Sequence, residues 1–280
     1  MTPHEAAWGA RYADGARPAA RTRSLPLRGF GQVAIVCWAY AFYAGCRNLA
    51  TGPSVVSLRD TEKVLVAERF LHLDFERTVL QVVLHVPWFV TLCNLCYSAT
   101  HTVVPIAVLL LLYHRAPARY AVWRDTFLIT LGMALIGFAL FPVAPPWLMP
   151  SSYHFADPTH RLVAAHMARQ GALGIDAIPT PSDLWKFSNP FAAMPSLHTT
   201  WALWSALAAW PVVRRRWVKV FLCFYPAMML VSVLVTANHW VFDAVVGAIV
   251  LGGAYGVASA IDQIRAVPFV WNTWGRRAAA

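Results

Sequence analysis

Long apolar stretches separated by short polar segments dominate the residue pattern of this chain. Six of these stretches are about 17 to 25 residues long, which is enough for a helix to cross a hydrocarbon core of ~30 Å. They cover residues 30–50, 89–113, 121–143, 197–213, 217–237 and 240–261. The pattern therefore predicts an all-α protein, a polytopic membrane helical bundle with about six transmembrane helices.

Two segments between the predicted spans have a different pattern. Residues 58–85 mix apolar and charged side chains at helical spacing, which predicts one or two helices on the outer membrane surface, or a hairpin that caps the bundle. Residues 144–195 form a polar outer loop bounded by prolines, and loops of this length are typical of lids or substrate-binding elements. The predicted organisation is a disordered basic tail (1–29), a transmembrane domain (30–262) and a second tail (263–280).

Composition supports the membrane interpretation, because 58% of the residues are hydrophobic and only 13% are charged. The 23 Lys and Arg residues predict the orientation, since a model with both termini in the cytoplasm puts most of them on the inner side. The net charge of +10 is then a signal of topology and of attraction to anionic lipid. Nucleic acid is not an expected partner, because the basic residues flank spans and form no separate domain.

Two histidines fall at the predicted starts of apolar helices. His198 follows Ser196 at the start of the fourth predicted span, and His239 stands at the start of the sixth. The topology places both at the outer end of an inward-running helix, where unpaired amides and the helix dipole favour an anion. Ser196 is the predicted N-cap, and its hydroxyl together with first-turn amides at Leu197 would donate hydrogen bonds to phosphate oxygens.

Asp243 lies one helical turn after His239. Its carboxylate can accept the N–H of that ring and leave the other nitrogen as a nucleophile. An intramembrane carboxylate is costly unless it is paired or functional. Two alternatives are an ordinary hydrogen bond on the helix surface and a metal site completed by His154, His160 or His166, whose spacing follows no metal pattern. We predict no metal and no other cofactor.

Other polar residues are candidates for the same site. Asn94, Tyr97 and His101 share one face of the second predicted span, where they either line a head-group cavity or join helices by hydrogen bonds. Asn238 and Trp147 are candidate pocket residues, although Trp147 is also suited to anchoring at the membrane interface. Basic side chains of the long loop are candidates for binding phosphate, and these are Arg161, Arg169 and Lys186.

With these motifs the chain resembles the type 2 phosphatidic acid phosphatase superfamily. The second motif of that superfamily, Pro-Ser-Gly-His, appears as Pro195–His198, and the third, Ser-Arg-x5-His-x3-Asp, keeps its spacing over Ser232–Asp243 with Val233 in place of Arg. The first motif, Lys-x6-Arg-Pro, is absent. The segment Phe141–Trp147 stands in its place, and with Ala193–His198 it resembles the branch that contains inositol phosphorylceramide synthase and its bacterial relatives. A phosphatase-like core over 88–260 carries these motifs.

The resemblance implies that His239 attacks phosphorus to form a phosphohistidine, that Asp243 orients it, and that His198 is the general acid and later the base. Phosphatases of the superfamily meet a doubly charged phosphomonoester with a Lys and two Arg that this chain lacks at those positions. We therefore expect a lipid phosphotransferase at the outer leaflet of the plasma membrane. Its donor would be a singly charged phosphodiester such as phosphatidylinositol, and the acceptor of the head group an alcohol, or water.

Three alternatives remain at this point. The first is a lipid phosphate phosphatase that hydrolyses phosphatidic acid or a polyprenyl (di)phosphate. The second is a transporter that uses the same His and Asp as a proton relay, which would need broken helices in an inverted repeat that the pattern does not contain. The third is a structural membrane subunit, in which the polar residues would be incidental.

Overall fold

The computed structural model describes residues 26–49, 54–155 and 189–266. Most of the predicted basic tail, the greater part of the long loop and the C-terminal tail lie outside the described residues. The same holds for five candidate residues of that loop, which are His160, Arg161, His166, Arg169 and Lys186. By contacts the chain divides into two compact units, residues 1–41 and 42–280, and the site described below belongs to the second.

Eight α-helices make up the described chain, and the prediction of an all-α fold is confirmed. They are α1 (Pro26–Leu49), α2 (Ser54–Leu71), α3 (Glu76–Val83), α4 (Pro87–Arg115), α5 (Pro117–Leu140), α6 (Leu197–Ala209), α7 (Arg216–Val235) and α8 (Val241–Ala266). Two short 3-10 turns, Pro146–Leu148 and Ser151–Tyr153, follow α5. The described residues contain no β-strand and only one isolated β-bridge.

Prolines explain where two of the long helices begin. Pro87 and Pro117 occupy the first positions of α4 and α5, where a proline's missing N–H costs nothing and its fixed φ suits the helix. Pro105 and Pro226 lie inside α4 and α7. Interior prolines are tolerated in membrane helices because neighbouring groups satisfy the freed carbonyls.

Four of the described helices are long and apolar enough to cross a membrane, namely α4, α5, α7 and α8. They correspond to the second, third, fifth and sixth predicted spans. Helices α1 and α6 coincide with parts of the first and fourth predicted spans but are not among the four. With 13 residues, α6 is about 20 Å long, which is shorter than a hydrocarbon core of ~30 Å. The count of six spans stays a prediction.

Helix α6 lies in the core of the bundle and packs against α4, α7 and α8. Most of its side chains are buried, as expected for a predominantly apolar helix that other helices surround. At Gly247 of α8, a side chain would collide with the hydroxyl of Thr200 and come within 3.0 Å of the carbonyl oxygen of Ser196. This glycine therefore permits α8 to lie directly against the start of α6.

Helices α2 and α3 present a polar face to the rest of the protein. Ser57, Asp60, Thr61, Glu68 and Glu76 are all buried, and α2 packs against α8 while α3 packs against α7. Of the two arrangements expected for residues 58–85, the contacts agree with a hairpin that caps the bundle. Its buried polar groups need partners in the neighbouring segments.

The two described ends of the long loop lie side by side. Val143 and Ala192 form a parallel β-bridge, and the amide of Val143 donates to the carbonyl of Phe191 over 3.0 Å. Trp240 is fully buried beside them and donates its indole N–H to the carbonyl of Ala144 over 2.8 Å. The segment that follows α5 is thus packed against both the segment before α6 and the segment before α8.

Candidate active site

His239 is held by two hydrogen-bond acceptors at the same ring nitrogen. Its Nδ1 lies 2.9 Å from the carbonyl oxygen of Ala193 and 3.3 Å from Oδ2 of Asp243. A carbonyl and a carboxylate can only accept, so the network assigns the hydrogen to Nδ1. The lone pair of the neutral ring is therefore on Nε2.

That lone pair faces the second histidine. Nε2 of His239 lies 3.3 Å from Nδ1 of His198, and with Nε2 as the acceptor the hydrogen belongs to His198. The ring of His198 stacks on Tyr97, with centroids 3.9 Å apart and planes at 18°, and lies 4.5 Å from the ring of His101. His101 is oriented in turn by contacts of its Nδ1 with the carbonyl of Tyr97 and of its Nε2 with the hydroxyl of Thr102. The structure thus brings together His198, His239 and one face of α4.

Asp243 performs two tasks at the start of α8. Its Oδ2 contacts His239 and also accepts the amide of Trp240 over 3.0 Å. Because α8 begins at Val241, Trp240 is the residue just before the helix and Asp243 is its third residue, so this is the reach-back half of a capping box. His239 itself precedes the helix by two residues. The same carboxylate therefore fixes both the helix start and the ring.

Two further carboxyl groups occupy the next amides of α8. Oε1 of Glu76 accepts the amide of Val241 over 2.9 Å, and Oε1 of Glu68 accepts the amide of Phe242 over 2.8 Å. The expectation that both helix starts offer free amides to an anion is therefore wrong for α8. Carboxyl groups from α2 and α3 already fill these positions.

Burial and the neighbouring charge of Glu76 raise the pKa of Glu68 to about 9, and burial also raises the pKa of Glu76. No donor in the described chain reaches Oε2 of Glu68. A proton on Glu68 supplies the missing hydrogen itself, directed at Glu76. The pair is thus held with one shared proton near neutral pH.

The start of α6 is arranged differently. Ser196 occupies the N-cap position as predicted, but its hydroxyl makes no capping bond. Within the described ranges, the amides of Leu197 and His198 have no acceptor. The backbone amide of Ser196 donates to the carbonyl of Asp243 over 3.0 Å, which joins the two helix starts.

Residues 62–257 match the family model of the PAP2 superfamily. The chain belongs to the PAP2 superfamily. No curated protein and no solved structure matches it significantly. The match contains His198, His239 and Asp243, and it begins in α2, so it also includes Glu68 and Glu76. PAP2 membership and the apolar helices together support a membrane enzyme of the phosphatase or phosphotransferase type that acts on lipids.

Two motif positions that differ from the PAP2 pattern have structural roles here. Val233, which replaces the Arg of the third motif, is fully buried in an apolar cluster with Tyr225, Met229 and Val241. The segment Phe141–Trp147 is tied by its backbone to the residues around His239, since the amide of Trp147 donates to the carbonyl of Ala237 over 3.3 Å. Neither position brings a positive charge to the histidines.

The remaining predicted residues occupy varied settings. Trp147 is half-buried beside the segment that carries His239. Asn238 donates its side-chain amide to the hydroxyl of Thr236 over 2.9 Å, so this contact fixes the turn between α7 and α8. Ser196 is fully buried and its hydroxyl has no partner in the described chain. Asn94 is half-buried in α4.

Sequence reasoning missed three residues that bear on the PAP2 site. Glu68 and Glu76 belong to the amphipathic stretch 58–85, and Arg47 enters the sequence prediction only as one of the 23 Lys and Arg residues that indicate the orientation. No local signal distinguishes these glutamates, because charged residues among apolar ones are typical of an amphipathic surface helix. Their partners in α8 lie 165 and 174 residues further along the chain.

Proposed function

We propose that the protein is a membrane-embedded lipid phosphotransferase that forms a phosphohistidine at His239 on a phospholipid donor. The observation that carries the proposal is the hydrogen-bond order Asp243, His239, His198. This order leaves a lone pair on Nε2 of His239 and places a hydrogen on Nδ1 of His198. A site that joins a nucleophile, its orienting carboxylate and a proton donor in this order is suited to group transfer.

The proposed reaction has two balanced steps. Nε2 of His239 attacks phosphorus, the bond from phosphorus to the leaving oxygen breaks, and His198, in its doubly protonated form, gives one proton to that oxygen and becomes neutral. An acceptor alcohol then loses its proton to His198 and attacks phosphorus, and the phosphorus–nitrogen bond breaks. Because the two ring nitrogens are 3.3 Å apart, phosphorus has no room between them. Substrate must first break the bond between the histidines.

We favour a phosphodiester donor such as phosphatidylinositol. A phosphomonoester near neutral pH carries nearly two negative charges, and a diester carries one. The apolar burial of Val233 and the absence of the Lys-x6-Arg-Pro motif support the donor of lower charge. The same features favour the branch that contains inositol phosphorylceramide synthase. Hydrolysis of phosphatidic acid or a polyprenyl (di)phosphate is the alternative activity.

The proposed enzyme lies in the plasma membrane and works without a metal ion. The distribution of Lys and Arg supports cytoplasmic termini and an active site that faces the outer side of the plasma membrane. In the described residues no group of three or more His, Cys, Asp and Glu side chains could hold a metal ion. We propose that no metal takes part and that the partners are the lipid substrate, the membrane and an alcohol or water, without nucleic acid.

The test uses purified protein in phospholipid vesicles. Head-group exchange on phosphatidylinositol is measured against release of inorganic phosphate from phosphatidic acid. We expect exchange, complete loss of it in His239→Ala and His198→Ala, and normal activity in His85→Ala, whose histidine is exposed between α3 and α4. An acid-labile phosphorus label that is transferred from the donor lipid to wild type but not to His239→Ala would identify the phosphohistidine. Rapid phosphate release without exchange would exclude the diester.

A further inference from the structure

The proposed site has a nucleophile and a proton donor but still needs a positive charge for the phosphate. His239 is neutral in the hydrogen-bond order given above, His198 loses its charge when it gives up its proton, and the motif positions that carry cations elsewhere in the superfamily are apolar here. Building on the proposed function, we propose that Arg47, in the last turn of α1, binds the phosphate group of the substrate.

The end of α1 is fastened to the segment that leads into α6. Tyr43 is buried one turn before Arg47, and its ring packs against Phe138 of α5 with centroids 6.4 Å apart. The neighbouring Gly137 lies against the same segment, because an added Cβ would come within 2.9 Å of Cδ of Pro195. The carbonyl of Arg47 accepts the side-chain amide of Asn189 over 2.9 Å. Arg47 is thereby held beside the residues that precede His198.

The charge of Arg47 acts on the site. Its guanidinium interacts electrostatically with the side chains of Tyr97, His101 and His198. These three rings form one cluster, in which the ring of His198 stacks on Tyr97, is tilted against His101 and contacts His239. A phosphate beside His198 would therefore feel the attraction of Arg47 in surroundings of low dielectric constant.

Arg47 also has a side-chain N–H donor that no described residue accepts. Its Nε is buried and has no partner among the described residues, and no carboxylate in those residues forms an ion pair with it. Its Cζ lies 5.9 Å from the centroid of Tyr43, which steers the guanidinium through the ring face. By contrast, Arg124 donates through Nε and Nη2 to Asp125. A buried donor without an acceptor is costly, and an anion would remove that cost.

This assignment sharpens the choice of substrate. A guanidinium offers a planar fork of donors that matches two oxygens of one phosphate. One cation balances the single charge of a phosphodiester and would leave a phosphomonoester with one charge uncompensated. Arg47 lies outside the PAP2 match over 62–257, so it substitutes from another helix for the cations missing from the motifs.

Arg119 provides a matched control. It too has a buried Nε without a partner among the described residues, and it is also a half-buried arginine. It stands in the first turn of α5, whereas Gly137 and the site lie at the other end. Arg119 and Gly137 are 18 positions apart, which is about 27 Å along the helix. Replacement of either arginine removes the same charge, but only Arg47 is near the histidines.

The experiment compares wild type, Arg47→Gln, Arg47→Lys and Arg119→Gln in two measurements. The first is the rise in melting temperature caused by orthovanadate, which mimics a transferring phosphoryl group and requires no lipid substrate. The second is kcat/KM for head-group exchange. We expect Arg47→Gln to lose the vanadate effect and about ten- to a hundredfold in kcat/KM, the range for a hydrogen bond to a charged group. Arg47→Lys should recover part of both, and Arg119→Gln should match wild type.

The outcomes separate this inference from the proposed function. If wild type exchanges head groups and Arg47→Gln keeps both its kcat/KM and its vanadate effect, Arg47 does not bind phosphate and the function stands. If no form turns over any lipid, the proposed function fails, and loss of the vanadate effect in Arg47→Gln alone still supports an anion site at Arg47. Absence of a vanadate effect in wild type overturns the inference. If Arg47→Gln melts well below wild type without vanadate, the test rests on Arg47→Lys. Partial recovery of the vanadate effect and of kcat/KM in that variant supports the inference, and no recovery contradicts it.

Discussion

The starts of α6 and α8 look alike in sequence and differ in what surrounds them. Each has a histidine within two residues of its first position. At α8 three carboxyl groups occupy the first amides, from Asp243, Glu76 and Glu68. At α6 the amides of Leu197 and His198 have no acceptor in the described part of the chain.

The starts of α6 and α8 are suited to different roles. An anion needs unoccupied donors, and the start of α8 offers none at Trp240, Val241 and Phe242 because carboxyl groups fill them. Negative charge at that end would also repel a phosphate. The α8 start is therefore suited to holding the nucleophile, and the α6 start, with Arg47 nearby, is suited to receiving the phosphate.

The largest expected loss of activity follows from Asp243→Asn, which removes the carboxylate that orients His239 at the start of α8. Asparagine has the same size as aspartate, but it is uncharged and only its side-chain oxygen accepts hydrogen bonds. It therefore cannot hold the N–H at Nδ1 of His239 as the charged carboxylate does. We expect kcat to fall by about 10⁴-fold, the loss seen when a buried aspartate that orients a catalytic histidine is replaced by asparagine. Head-group exchange measures it. Asp262→Asn, at the far end of α8, is the control, and equal loss in both variants would contradict a specific role for Asp243.

A smaller effect is expected when the two helix starts are pushed apart. Gly247→Ala puts a methyl group onto the hydroxyl of Thr200 and the carbonyl of Ser196, and overpacking of this kind costs about 1–3 kcal/mol. Gly252→Ala, in the same helix, meets nothing within 4 Å and should not destabilise the protein. Thermal unfolding and head-group exchange of the two variants provide the test. Similar losses in both would show that the close approach of α6 and α8 is unimportant.

The glutamates that close the α8 start should make stability depend on pH. The pKa of Glu68 is raised from 4.5 to about 9 in the folded state. Its contribution to stability is therefore complete below about pH 4.5 and declines as the pH rises towards 9. We expect Glu68→Gln to flatten this decline, because glutamine cannot ionise. Melting temperature measured from pH 5 to 9 is the readout, and parallel curves for the two proteins would contradict a protonated Glu68.

The smallest structural effect is expected at the cap of α6. The hydroxyl of Ser196 is buried and has no partner in the ranges that the structure describes, so Ser196→Ala should not lower the free energy of unfolding, because it removes a buried polar group that makes no hydrogen bond. Replacement of an N-cap serine that bonds its helix costs ~1 kcal/mol. Denaturant unfolding distinguishes the two cases. A loss of cap-like size would mean that the hydroxyl caps α6 after all.

The residues that sequence identified are those whose relations are local or fixed by topology. The spacing of His239 and Asp243 places them one turn apart, and their contact follows from that geometry. The pairing of His198 with His239 followed from counting apolar runs, which put both at the same end of the bundle. Four of the six predicted spans correspond to helices that are long and apolar enough to cross a membrane.

The residues that sequence missed have partners far away in the chain. Glu68 and Glu76 read as ordinary charges of an amphipathic stretch, because no local pattern says that they would cap a helix 165 or more residues later. Arg47 read as one basic residue among 23. Its significance depends on the contact of Tyr43 with Phe138 and on a hydrogen bond from Asn189, neither of which leaves a trace in residue spacing.

The sequence by itself determined that this chain is helical and apolar, and that it carries a His, His, Asp set in PAP2 order, since periodicity and motif spacing are properties of short stretches. Only the tertiary structure decided which helix start is closed. That outcome rests on carboxyl groups brought from α2 and α3, and a hydrogen bond is decided by distance in space rather than by position in the chain.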